Sequence, residues 1–193
     1  MKQKNNLRTG AVIGIILLAA LSRLAIPPIL GSPSNFAPIG AMALFGGACF
    51  GRSWLAFVIP LMALWLSDWF VNLAYTGEFN PFYPGFYWQY IAFACVVLLG
   101  SVMLKKVKPM RLIGASLLAS VIFFVVSNFG VWIGGTMYPM TLSGFYTCLV
   151  AAIPFFQGTL YGDLIYSVII FGAFALAQWR FPSLASNRPA LAA

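Results

Sequence analysis

Long apolar runs, separated by short stretches of glycine, proline or basic residues, make up most of this chain. A helix needs about 20 predominantly apolar residues to cross a bilayer, and the longer runs reach that length. The pattern predicts six transmembrane helices, with approximate bounds 10–26, 39–50, 54–75, 91–104, 112–134 and 158–179. The second is short and rich in glycine and alanine, which allows a helix to lie deep among its neighbours.

One further apolar stretch does not fit a full span. The residues from Cys148 to Phe156 are too few to cross the membrane, and Pro154 interrupts them. Such a segment is tolerated at membrane depth only where it is buried in protein or lines a cavity. We therefore expect an all-α integral membrane protein, a single transmembrane domain over residues 1–193, with a short re-entrant or half-helix before the last span.

The composition supports a membrane location, since 62% of the residues are hydrophobic and only 7% are charged. Soluble domains carry about 25% charged residues. The net charge of +8 comes from basic residues between the apolar runs, where they set topology rather than form a nucleic-acid surface. A topology with six spans places the following basic residues on the same side of the membrane: Lys2, Lys4, Arg8, Arg52, Lys105, Lys106, Lys108, Arg111, Arg180 and Arg188. Because positive charge marks the cytoplasmic side, we expect a multi-pass membrane protein with both termini in the cytoplasm and no nucleic-acid partner.

Polar side chains are rare within the spans, and they collect at one depth. An acid at the centre of a bilayer costs about 2.5–3.5 kcal/mol on insertion scales unless it faces protein, water or a partner. The predicted topology places these residues in the outer third of their helices: Arg23, Asp68, Asn72, Asn128, Gln157 and Asp163. This segregation predicts a cavity that opens to the outside.

A ligand pocket combines apolar and aromatic walls with a few convergent polar groups, and this chain supplies both. The candidate substrate-binding residues are Arg23, Asn35, Phe36, Asp68, Trp69, Asn72, Asn128, Trp132, Gln157 and Asp163. The loop from Thr76 to Tyr90 contains seven aromatic residues, which form either an interfacial belt or a lid over a flat ligand. In the alternative interpretation, Arg23, Asp68 and Asp163 form a closed ion network that only joins helices.

Catalysis is not expected. The chain has no histidine, which excludes bis-histidine haem, histidine-ligated zinc and serine–histidine nucleophiles. Its three cysteines are widely spaced and include no CxxC motif. An intramembrane aspartyl pair of Asp68 and Asp163 is conceivable, but neither acid lies in a motif of that class. We predict no catalytic residue, no metal and no cofactor.

The first span contains Gly10-x-x-x-Gly14, a spacing that lets a second helix approach closely. Another helix of this chain or a helix of a partner subunit could occupy that face. The sequence leaves both alternatives open.

Several runs resemble a family of small, functionally uncharacterised bacterial membrane proteins. They are SNFAPIGAMALFGG at 34–47, LSD at 66–68, SNFGVW at 127–132 and AIPFFxxTLxGD at 152–163. That family in turn resembles the substrate-binding S components of energy-coupling-factor (ECF) vitamin transporters, in size, six spans and an outward pocket.

The resemblance implies a protein of the bacterial inner membrane that captures a small vitamin-like solute with outer loops and helix ends. It would then dock on a transmembrane coupling subunit driven by ATPases. Gly10 and Gly14 are the nearest match to the Ala-x-x-x-Ala docking motif of S components. Some solitary S-like proteins bind cobalamin through a cysteine in the second outer loop. Residues 76–90 contain no cysteine here, so a corrinoid would be bound without that ligand or through Cys148. The alternatives are a non-transporting accessory subunit and, less favoured, an intramembrane aspartyl enzyme.

Overall fold

The structure is a computed structural model, which describes residues 2–24, 35–51, 53–77, 82, 85–135 and 137–185. These residues form six α-helices and no strand. The helices are α1 (Lys2–Ser22), α2 (Ile39–Phe50), α3 (Leu55–Thr76), α4 (Phe86–Met103), α5 (Pro109–Ile133) and α6 (Leu142–Arg180), followed by a short 3-10 turn at Pro182–Leu184. The predicted end of the first span at residue 26 and the basic residues Arg52 and Arg188 lie outside the described residues.

Four of the six helices are long and apolar enough to cross a membrane: residues Leu55–Ala74 of α3, and α4, α5 and α6. The apolar parts of α1 (Asn6–Ser22) and α2 are shorter. The expected all-α fold is therefore confirmed, and the four long apolar helices indicate an integral membrane protein.

Local sequence signals set several of the helix ends. Lys108 is extended and Pro109 occupies the first turn of α5, where the missing amide hydrogen of proline costs nothing. Gly77 ends α3 in the left-handed conformation that glycine adopts without strain. Thr141 precedes α6, and its side-chain oxygen accepts a hydrogen bond from the Gly144 amide at 3.1 Å.

Helix α2 lies at the centre of the bundle, as its small residues predicted. Ten of its twelve residues are buried, and α1, α3, α4, α5 and α6 all pack against it. The closest approach is to α4. A Cβ atom on Gly47 would overlap the Val97 carbonyl oxygen, and one on Gly100 would overlap the Leu44 carbonyl oxygen. The backbones of α2 and α4 are thus in direct contact.

The predicted half-helix at 148–156 is wrong, because these residues belong to a single 39-residue helix, α6. Pro154 lies inside it. A proline removes one backbone hydrogen bond, here to the carbonyl of Val150. Helix α5 contacts α6 on both sides of that point, through Cys148 before it and Asp163 after it. At 1.5 Å per residue α6 is about 58 Å long, so it exceeds a hydrocarbon core of about 30 Å.

The short element of this fold is α2, about 18 Å long by the same rise. The non-helical backbone just before α2 packs against α6 at two glycines. A Cβ atom on Gly158 would lie 2.9 Å from the Asn35 amide nitrogen, and one on Gly162 would lie 2.8 Å from the Ala37 amide nitrogen. Irregular backbone within a bundle is tolerated where protein covers it, and α6 provides that cover.

Candidate functional site

The outstanding polar contact is an ion pair between α1 and α3. Arg23 Nη1 lies 2.8 Å from Asp68 Oδ1, with side chains only 10% and 6% exposed. Arg23 Nη1 also donates to Ser67 Oγ, and the Tyr90 hydroxyl donates to Asp68 Oδ2 at 3.3 Å. Since Tyr90 belongs to α4, the pair connects three helices. The structure therefore pairs Arg23 with an acid instead of leaving it extended towards the membrane surface.

Aromatic rings surround this pair on the side of α3 and α4. The aromatic wall, as we call it, consists of Trp65, Trp69, Phe82, Phe86 and Tyr90. Successive ring centroids lie 4.4 Å (Trp65–Trp69), 6.5 Å (Trp65–Phe82), 5.3 Å (Phe82–Phe86) and 5.7 Å (Phe86–Tyr90) apart. Through the Tyr90 hydroxyl the aromatic wall is hydrogen-bonded to Asp68. Tyr90, the last residue of the predicted aromatic loop, therefore contacts the charged pair from helix α4.

Asn72 follows Asp68 by one helical turn and therefore shares its face of α3. Trp69 stacks edge-on against Trp65. Both predicted residues thus belong to the Arg23–Asp68 region of the molecule.

Asp163 has a different set of partners. Its carboxylate accepts from Ser120 Oγ at 2.7 Å and from the backbone amide of Gly40, and the residue is 2% exposed. Gly40 lies in the first turn of α2, where backbone N–H groups lack helical partners and carry the positive end of the helix dipole. Pro38 at the N-cap offers no side-chain acceptor. Asp163 thus caps α2 from a neighbouring helix.

The last helix starts before the predicted span, which begins at residue 158, so Asp163 lies in the interior of that helix. Helix α6 begins at Leu142, so Asp163 lies 21 residues into it. Its partner Ser120 lies 13 residues before the end of α5. Asp163 is consequently near mid-height of the α5–α6 pair, and it shares no hydrogen-bond or ion-pair partner with Asp68 among the described residues.

A basic residue sits at the other end of α2. Arg8 Nη1 donates to the Cys49 carbonyl at 3.4 Å, and the guanidinium lies 6.0 Å from the ring centroid of Phe174. Helix α2 therefore has a carboxylate at its N-terminus and a guanidinium at its C-terminus, which matches both ends of its dipole. Sequence reasoning used Arg8 only for topology. For the N-terminus of α2 the sequence did contain a signal: Pro38, the N-cap residue, has no side chain that can accept a hydrogen bond, so another group has to do so.

Buried serines extend the polar contact of Asp163 along the interface of α5 and α6. Ser116 Oγ donates to Ser167 Oγ at 2.8 Å, next to the Ser120–Asp163 bond. All four side chains are buried. Sequence reasoning missed the serines. The signal was their spacing: Ser116 and Ser120 on α5 are four residues apart, as are Asp163 and Ser167 on α6, so each pair lies on one face of its helix.

Asn128 and Trp132 connect the end of α5 to the start of α6. Asn128 Nδ2 donates to the Phe124 carbonyl at 2.8 Å, and the Cys148 thiol donates to the Asn128 carbonyl at 3.5 Å. Trp132 Nε1 donates to the Pro139 carbonyl at 2.9 Å, and its ring lies 5.2 Å from that of Phe145. Their contacts are thus with the α5–α6 turn rather than with Arg23 or Asp68.

The remaining predicted residues lie along the segment that precedes α2 and the part of α6 facing it. The Phe36 ring centroid is 5.7 Å from that of Tyr166, whose hydroxyl accepts from Ser22 Oγ at 3.1 Å. Phe36 is therefore close to the end of α1 that carries Arg23. Asn35 and Gln157 are exposed.

No described residue packs closely on the Gly10-x-x-x-Gly14 face of α1. A Cβ atom on either glycine would meet no atom of the described chain within 4 Å. Of the two alternatives for this face, packing against another helix of the same chain is therefore wrong for the described residues.

The described residues contain no group of three or more cysteine, aspartate or glutamate side chains that could hold a metal ion. No curated protein and no solved structure matches the chain. One family model does match, over residues 3–184, and it is described as a family of unknown function. Because that match covers nearly the whole sequence, the chain belongs to the family of unknown function DUF6580.

Proposed function

We propose that this protein is a solute-binding integral membrane protein, similar in role to the S components of ECF transporters, that captures a small and partly flat organic solute for uptake. The observation that carries the proposal is the Arg23–Asp68 ion pair, held inside apolar helices beside the aromatic wall.

The energetics of a buried ion pair support a role beyond packing. Removing two charges from water costs several kcal/mol per ion, and well-packed hydrophobic residues of similar volume are often equally or more stabilising. Packing alone therefore does not explain why the pair is charged. Opposite charges next to aromatic rings do provide the combination typical of a ligand pocket, which has apolar walls and a few convergent polar groups. The proposal therefore assigns recognition of the solute to the charged pair, in which Asp68 holds Arg23. It assigns to the aromatic wall the role of contacting the flat faces of the solute.

The charge distribution supports the orientation. Arg8 contacts the end of α2 at Cys49, so it lies at the opposite end of the bundle from the Arg23–Asp68 pair. The basic turn between α4 and α5 also lies near that end of α2, because Gly47 approaches Ser101. Since positive charge favours the cytoplasmic side, the proposed orientation has the Arg23–Asp68 pair facing outwards.

The test of the proposed function is native mass spectrometry of mildly purified protein, with a matched double variant. The wild type is expected to retain a small molecule. Arg23→Met combined with Asp68→Asn is expected to lose that molecule and to keep its fold, because no buried charge is left without a partner. A wild-type protein without any bound molecule would contradict the proposal, and so would a double variant that retains it.

The second candidate function is a non-transporting accessory subunit. It is favoured by the fact that Asp163 and Asp68 each have protein partners, so both could serve only to join helices. In that case the wild type carries no solute, and Asp68→Asn alone lowers the melting temperature without any other effect. We do not propose the aspartyl enzyme, because its two acids must act on one bond, whereas Asp68 and Asp163 contact different helices.

The proposed partner is a transmembrane coupling subunit with ATPases, docked on the Gly10–Gly14 face. Gly14→Leu should not lower the melting temperature of the isolated protein, because the new side chain meets no described atom and leucine is a better helix former than glycine. The same variant should lose solute uptake by whole cells, because leucine prevents close helix approach. Gly114→Leu on α5, which also meets no described atom within 4 Å, is the matched control and should retain uptake. Equal uptake by both variants would contradict the docking role.

A further inference from the structure

The Arg23 guanidinium is only partly used by the protein. An arginine presents five N–H donors on three nitrogens. Nη1 serves both Asp68 and Ser67, whereas Nε and Nη2 have no hydrogen bond or ion pair to any described residue. The side chain is also only 10% exposed to solvent. A nine-tenths-buried cation therefore keeps two of its three nitrogens unpaired within the described chain.

Those two nitrogens form a recognisable edge. The Nε–H and one Nη2–H bond of a guanidinium point in the same direction, at the spacing of the two oxygens of a carboxylate. Asp68 does not occupy this edge, because its ion pair is made to Nη1. The protein thus holds the guanidinium from one side and leaves the bidentate edge for another group.

Asp68 itself is occupied. Oδ1 is paired with Arg23, and Oδ2 accepts from the Tyr90 hydroxyl. A carboxylate engaged on both oxygens is poorly suited to bind a cationic ligand. Its role is to orient Arg23, which makes it a positioning residue.

The surroundings favour a negative group on a flat molecule. Helix α4 begins at Phe86 in the aromatic wall, and its N-cap residue, Gly85, has no side chain. The positive end of its dipole therefore adds to the field of Arg23. Tyr90 contacts Asp68 and belongs to the aromatic wall, so aromatic side chains lie next to the charged pair, and aromatic rings associate favourably with one another.

We infer that the ligand of this site is an aromatic carboxylate, whose carboxylate pairs with Arg23 Nε and Nη2 and whose ring packs against the aromatic wall. The inference rests on the proposed function, because it names the class of solute for that same site.

The test uses three probes of the same shape: 2-naphthoate, 2-naphthamide and 2-naphthylmethylammonium. Binding to the wild-type protein in phosphatidylcholine nanodiscs is measured by equilibrium dialysis. The carboxylate is expected to bind at least about tenfold more tightly than the amide, because hydrogen bonds between two charged groups are stronger than those to a neutral group. The ammonium probe should bind more weakly than both.

A conservative variant separates the bidentate edge from simple charge. Arg23→Lys keeps the positive charge but lacks the two parallel donors, so 2-naphthoate should lose at least about tenfold in affinity while 2-naphthamide changes little. Arg111→Lys, exposed at the start of α5, is the matched control and should bind like the wild type.

The outcomes distinguish a failure of the carboxylate inference from a failure of the proposed solute-binding function. If the amide or ammonium probe binds as tightly as 2-naphthoate, the carboxylate inference is overturned and solute binding stands. If phosphatidylglycerol nanodiscs abolish the preference for 2-naphthoate, a lipid phosphate occupies Arg23 and the inference is also overturned. If no probe binds although native mass spectrometry finds a retained molecule, the ligand class is wrong. If no probe binds and no molecule is retained, the proposed function itself fails.

Discussion

Replacing Asp163 with leucine is expected to release helix α2 from the bundle at a much lower temperature than in the wild type. The substitution removes the acceptor of the Gly40 amide and of the Ser120 hydroxyl in a site that is 2% exposed. An unsatisfied buried donor costs about 1–3 kcal/mol, and the loss of a helix cap costs about 1 kcal/mol. We therefore expect a loss of about 2–4 kcal/mol in the free energy of unfolding.

The measurement follows the reactivity of Cys49 with a thiol-specific dye during heating in detergent. Cys49 belongs to α2 and is 7% exposed, so it reacts when α2 leaves its surroundings. Asp163→Asn provides the matched variant, because an amide oxygen still accepts from Gly40 but lacks the negative charge that matches the helix dipole. The expected order of stability is wild type, then asparagine, then leucine. Equal melting temperatures for all three would show that Asp163 does not hold α2.

The helical fold was largely accessible from sequence. The lengths of the apolar runs predicted α3, α4 and α5 closely, and the small residues of 39–50 predicted the central position of α2. The break before the last span was predicted wrongly because Pro154 was treated as a stop. A proline interrupts one hydrogen bond of a helix, and tertiary packing decides whether the helix continues. The neighbouring α5, which packs along α6, is not visible in a local window.

The candidate site was accessible only in part. Charges at similar predicted depth suggested that Arg23 would meet an acid, and Asp68 is that acid. The same reasoning placed Asp163 with them, although it contacts α2 and α5 instead. Its position depends on where α6 begins and on the depth at which α2 begins, and both are properties of the packed bundle. A single charge cannot show from sequence whether its partner is a side chain or a helix end.

Substitution of Gly47 is expected to weaken assembly of the bundle at the contact between α2 and α4. Alanine at a helical glycine normally stabilises by about 0.5–1 kcal/mol, because it reduces the freedom of the unfolded chain. At Gly47 the new Cβ atom would overlap the Val97 carbonyl oxygen and lie 2.8 Å from the Ser101 amide nitrogen. Both are backbone atoms of α4, so no side chain can move aside. Gly47→Ala should therefore destabilise the protein by about 1–3 kcal/mol or more.

Gly172→Ala on α6 is the control, because its Cβ atom would meet no described atom within 4 Å. The same chemical change should then raise the melting temperature at Gly172 and lower it at Gly47, as followed by Cys49 reactivity. Displacing α4 also moves Tyr90, whose hydroxyl donates to Asp68, so Gly47→Ala should weaken solute retention even where the protein remains folded. A shift of both variants in the same direction would mean that the α2–α4 contact yields without cost. In that case the backbone contact would not be what positions α4, and Tyr90 with it, against the Arg23–Asp68 pair.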